Sequence, residues 1–132
     1  MDYFIGPNVV GQLAIGLFIA IVFLQSGLDK VFDWKGNQSW LQGHFKSSIL
    51  SGLVSPLLAV LTIVEIITGL VAVAGIIGIV WQKDATWLQY SISLGLLSML
   101  MLLFGQRLAK DYEGAKTIAI YFGVLLVSLL LF

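Results

Sequence analysis

Glu65 is the residue of this 132-residue chain that most demands a chemical explanation. It lies near the middle of a long apolar stretch, where a carboxylate is costly unless it is paired or neutralised. Thr62, Gly69 and Ala72 fall at helical offsets of three, four and seven from it, so a helix there would carry one polar, small-residue face toward its neighbours. Two readings stand side by side. Glu65 relays a proton or contacts a ligand, with Thr62 and Gly69 beside it, or it is a structural carboxyl bonded to an adjacent helix.

A second polar cluster, Gln25, Ser26, Asp29 and Lys30, closes the first apolar stretch. Gln25 and Asp29 are one helical turn apart, as are Ser26 and Lys30, so the cluster can pair internally or meet Arg107 and Lys110. Salt bridges that anchor helix ends are its plainer explanation. His44 is the sole histidine and there is no cysteine. One imidazole is too few for a haem or zinc site within the chain, and thiol chemistry and Cys-bound metal are excluded. His44 is then an interfacial side chain, a hydrogen-bond partner of a quinone carbonyl, or a ligand shared with another subunit. No phosphate-binding Gly loop, metal motif or Ser/His/Asp set is present, so no metal is expected and a self-sufficient enzyme is not indicated.

The elements that must position these residues are membrane helices. Hydrophobic residues make up 59% of the chain and charged residues 11%, against about a quarter charged in soluble domains. The expected fold is an all-α integral membrane protein, a bundle of four transmembrane helices at about 9–28, 55–81, 86–104 and 115–132, forming one domain over 1–132. Ser55 and Pro56 read as the N-cap and first residue of the second helix. The tight link Gln82–Ala85 makes helices two and three an antiparallel hairpin. Leu41, Phe45 and Ile49 recur every fourth residue in the longest connection, which predicts a short interfacial amphipathic helix at about 38–50, capped by Asn37 or Ser39. Trp34 and Trp40 on one side and Trp81 and Trp87 on the other would form the aromatic belts. Small residues at packing spacing (Gly16 and Ala20; Ser91, Gly95 and Ser98; Ala115, Ala119 and Gly123) predict close helix contacts.

Seven basic residues balance seven acidic ones, with no basic stripe for phosphates, so no nucleic-acid partner is expected. Lys30, Lys35, Lys46, Arg107, Lys110 and Lys116 fall in the first and third connections and only Lys83 in the second. Both termini are therefore expected on the non-cytoplasmic side. The start Met1-Asp2-Tyr3 lacks the pattern of a cleaved signal peptide, so the first helix is expected to remain.

The first helix ends Phe23-Leu-Gln-Ser-Gly-Leu-Asp-Lys30, and Glu65 is followed by Gly69-Leu70. In these motifs the chain resembles the DoxX-like family of small four-helix bacterial membrane proteins, with Ser26, Gly27, Lys30, Glu65 and Gly69 as the matching positions. The resemblance implies a multi-pass protein of the bacterial inner membrane, in the lipid bilayer with other membrane-protein subunits, and some relatives accompany thiosulfate:quinone oxidoreductase. One function it implies is an accessory subunit of a larger complex. The other is a quinone-linked redox component that uses Glu65, while a small transporter or channel is a third and self-association stays open. No cofactor is intrinsic, and a quinone or a lipid is the ligand class implied.

Overall fold

The computed structural model describes residues 7–49 and 51–132. Its helices are α1 (Pro7–Phe32), α2 (Trp34–His44), α3 (Val54–Gln82), α4 (Thr86–Leu108) and α5 (Tyr112–Ser128), with 3-10 turns at Ser51–Leu53 and Leu129–Leu131. Four spans, Asn8–Phe32, Ser51–Gln82, Thr86–Leu108 and Tyr112–Leu131, are long and apolar enough to cross a membrane. At 1.5 Å per residue, the 29 residues of α3 extend for about 43 Å, well beyond a hydrocarbon core of about 30 Å.

Two close approaches set the packing of α1 on α3. Carbons added at Gly69 and Gly27 would lie 2.5 Å from the Leu24 side chain and 2.6 Å from that of Ile66. With no side chain between them the two backbones approach, which is how helices gain contact where burial from water cannot drive association. The register is antiparallel, each step along α1 matched by an equal step back along α3. On the other flank Gly75 abuts the Leu88 backbone at 2.7 Å, and the Ser91 hydroxyl donates to the Thr68 carbonyl at 3.1 Å. Phe23, from α1, and Leu125, from α5, meet over Gly95 of α4, and both are fully buried.

The first connection departs from the expected 38–50 helix: α2 starts four residues earlier and stops six earlier. Helical bonding runs on through Asp33, whose N–H donates to the Asp29 carbonyl while the Asn37 N–H donates to that of Asp33. Only the Asp33 backbone (φ −131°, ψ 57°) breaks the run. No fresh helix start exists there, so the expected cap does not form: the Asn37 amide donates to the Asp33 and Asp29 carbonyls instead. Gln38 hydrogen-bonds the Ser55 hydroxyl and Gln42 the Ser51 carbonyl, the same antiparallel register as that of α1 on α3. α2 is thus a kinked continuation of α1 laid along the start of α3. Leu41 and Phe45 face inward, but the helix has ended before Ile49, which is 82% exposed.

Other boundaries shift for local reasons. Ser55 is not the N-cap of α3, since its hydroxyl is taken by Gln38; Leu53 holds that position without a side-chain bond. Pro56 still lies in the first turn, where its missing N–H costs nothing. α4 runs four residues past the expected end, to a Schellman closure in which Lys110 N–H donates to the Arg107 carbonyl and Asp111 N–H to that of Gln106. α5 begins three residues early because Asp111 caps it, accepting from the Gly114 N–H at 2.9 Å.

Candidate functional site

The extension of α1 to Phe32 brings the whole polar cluster within the helix, with Lys30 in its last turn, and the register with α3 brings Lys30 to Glu65. The Lys30 Nζ lies 2.9 Å from Glu65 Oε1 and donates to the Ser26 hydroxyl at 2.7 Å. Glu65 is 2% exposed and the Lys30 side chain 15%. The approach to Oε1 lies outside hydrogen-bonding directions, so charge rather than an aligned hydrogen bond holds this contact. Such a pair compensates two charges removed from water; either alone would be costly.

Around the pair the helix faces are small or self-satisfied. Thr62, 4% exposed, donates to its own helix at the Leu58 carbonyl, and Gly69 is closed over by Leu24. Thr62 and Gly69 therefore shape the interior beside Glu65 and present no free donor to a ligand. The register set by Gly75 with Leu88 and Thr68 with Ser91 carries Ser98 of α4 into the layer of Thr62 and Glu65. Ser98 is fully buried, and its hydroxyl has no hydrogen-bond partner among the described residues.

The cluster of four splits into two faces. Ser26 and Lys30 turn inward, whereas Gln25 and Asp29 are exposed and border an open concavity on α1 with Ala20, Ile21, Leu24, Leu28 and Phe32. Arg107 lies with its guanidinium 4.8 Å from the Tyr112 ring centre. His44 is placed where α2 meets the turn between α4 and α5, its Nε2 3.1 Å from Gln106 Oε1 and 3.4 Å from Asp111 Oδ2. Its ring stacks on Trp40 at 4.7 Å. This contact puts the first and third connections at one end of the bundle, the end that holds six of the seven basic residues.

Two polar anchors had no motif to reveal them. Gln12, 8% exposed, donates to the Leu131 carbonyl at 2.7 Å and ties the chain's last turn to α1. Thr68 supplies the carbonyl that receives Ser91. A polar residue inside an apolar run was the available signal for Gln12; the Thr68 acceptor is a backbone carbonyl, which residue type does not signal. Among the described residues no three His, Cys, Asp or Glu side chains are grouped to hold a metal ion.

No family model, curated protein or solved structure matches the chain.

Proposed function

We propose that this chain is a multi-pass protein of the bacterial inner membrane, with both termini on the non-cytoplasmic side, that acts as a DoxX-like accessory subunit of a larger membrane complex. The observation that carries the reading is the outward placement of Gln25. The α1–α3 register sets it level with Thr68, close to the midpoint of α3, yet its amide faces away from the bundle beside an open concavity. An amide left in hydrocarbon costs several kcal/mol, and a neighbouring subunit's polar group would satisfy it. The Lys30–Glu65 pair then has a structural task, fixing α1 against α3 so that this outer face keeps its shape.

Isolation of the tagged protein from native membranes in mild detergent, with mass spectrometry of its companions, tests the proposal. Stoichiometric partners are expected with the natural chain and several-fold less of them with Gln25→Leu. A protein found alone at native expression overturns it.

The buried Lys30–Glu65 pair favours a second reading, a quinone-linked redox component whose proton path includes Glu65. It requires that Glu65→Gln abolish quinone-dependent turnover of the isolated complex while leaving its assembly intact; unchanged turnover removes this reading.

A further inference from the structure

A cavity of about 240 Å³ lies between α2, the start of α3 and the end of α4, under the end of the bundle that carries most of the basic residues. Its walls are apolar, with Leu41 and Phe45 on one side, Leu58 and Leu61 on the second and Leu102 on the third, and among the described residues its one polar wall residue is Gln106. His44 meets Gln106 through Nε2 at 3.1 Å, so the polar end of the cavity is a fixed feature. Pockets for drug-sized ligands measure roughly 300–1,000 Å³. This smaller apolar space has the lining to take a segment of a hydrocarbon chain.

Two basic residues adjoin the lining in sequence. Lys46 directly follows the wall residue Phe45, Arg107 directly follows Gln106, and both are exposed. Arg107 has its guanidinium carbon 4.8 Å from the Tyr112 ring centre, and its guanidinium has the fork of N–H donors that suits an oxyanion. Asp111, an acid at this end, is engaged by His44 at 3.4 Å and by the Gly114 N–H at 2.9 Å. Basic pockets between membrane helices on the cytoplasmic side attract anionic headgroups.

We infer that this cavity is a binding site for an anionic phospholipid, one acyl chain lying among Leu41, Phe45, Leu58, Leu61 and Leu102 and the phosphate held by Lys46 and Arg107. The lipid bridges α2 to the α3–α4 hairpin and takes the place of a packed core at that end, where α2 itself has no buried residue.

Native mass spectrometry of the purified, delipidated protein, equilibrated with equimolar dioleoyl phosphatidylglycerol and dioleoyl phosphatidylcholine in detergent, tests the site. The natural chain is expected to retain the anionic lipid about tenfold over the zwitterionic one, and Lys46→Gln with Arg107→Gln to bring the ratio near one. Gly105→Leu is the second variant. Gly105 borders the cavity and an added carbon there meets only the Phe45 ring at 3.6 Å, so the new side chain fills the space without disturbing the helix; it is expected to reduce retention of both lipids at least about fivefold, with an unchanged circular-dichroism melting curve as the folding control. Equal retention of the two lipids by the natural chain overturns the proposal. So does full retention by Gly105→Leu, which would reduce the effect to surface charge.

Discussion

The Lys30 ammonium lies 2.9 Å from Glu65 Oε1, joining the last turn of α1 to the centre of α3. Removal of one member leaves the other charge buried without compensation, whereas removal of both leaves an apolar contact. Lys30→Met and Glu65→Leu are each expected to lower stability by about 3 kcal/mol, and the double variant to recover to within about 1 kcal/mol of the natural chain. Reversible unfolding in mixed micelles measures the cycle. Additive losses would show that the two side chains do not act as a pair.

Glycines that look alike in the sequence differ in what surrounds them. A carbon added at Gly69 meets Leu24 at 2.5 Å and its backbone nitrogen at 3.0 Å, while one at Gly123 meets nothing within 4 Å. Gly69→Ala is expected to cost about 1–3 kcal/mol and Gly123→Ala to be neutral or to stabilise by up to about 1 kcal/mol. Thermal unfolding of the two variants side by side checks the contrast; equal effects would refute the close α1–α3 approach.

Lys110 closes α4 with φ 62°, a left-handed conformation that a side chain adopts at a cost. Glycine carries no such cost, although it frees the unfolded chain. Lys110→Gly is expected to raise stability by up to about 1 kcal/mol, read as a higher melting temperature. A lower one would mean that the lysine side chain contributes more than the backbone strain removes.

Asp84, in the link between α3 and α4, accepts from the Thr86 hydroxyl at 2.7 Å and the Thr86 N–H at 3.0 Å. Those bonds, the hydroxyl's first, hold its carboxyl below the usual value of 3.8. The folded value is the depressed one, so the contribution to stability is present in full above the unfolded value and is lost as pH falls through the folded value. The Asp84 carboxyl carbon in a solution NMR titration should respond at lower pH in the natural chain than in Thr86→Val. Coincident titrations would exclude the hydroxyl bond as a cause.

The all-helical architecture was legible because long uncharged runs mark helices long and apolar enough to cross a membrane, and the four long helices follow from those alone. The tight Gln82–Ala85 link likewise dictated the α3–α4 hairpin. The ends were less legible because capping at Asp111 and the Schellman turn at Lys110 depend on backbone geometry that residue type only loosely determines. α2 was misplaced for a different reason: its apolar period through Leu41, Phe45 and Ile49 is genuine, but the chain stays helical through Asp33 and turns before Ile49. At the site, Glu65 stood out through its cost, and its face with Thr62, Gly69 and Ala72 points inward. Its partner was hidden. Lys30 read as an end anchor until the α1–α3 register, set by Gly27 and Gly69, showed how deep along α3 it lies. The small-residue reading failed at Ala119, which is exposed while Ala115 is buried, because spacing alone does not say which helix faces are covered.

The unequal positions of Lys30 and Glu65 along their helices also impose an order on biogenesis. Lys30 precedes its counter-ion in the chain and lies two residues from the end of α1, so in a bilayer its long side chain would have the headgroup region within reach. Glu65, deep within α3, has no such refuge. It follows the lysine in the chain, so the order of synthesis places the cation ahead of the buried acid it must compensate.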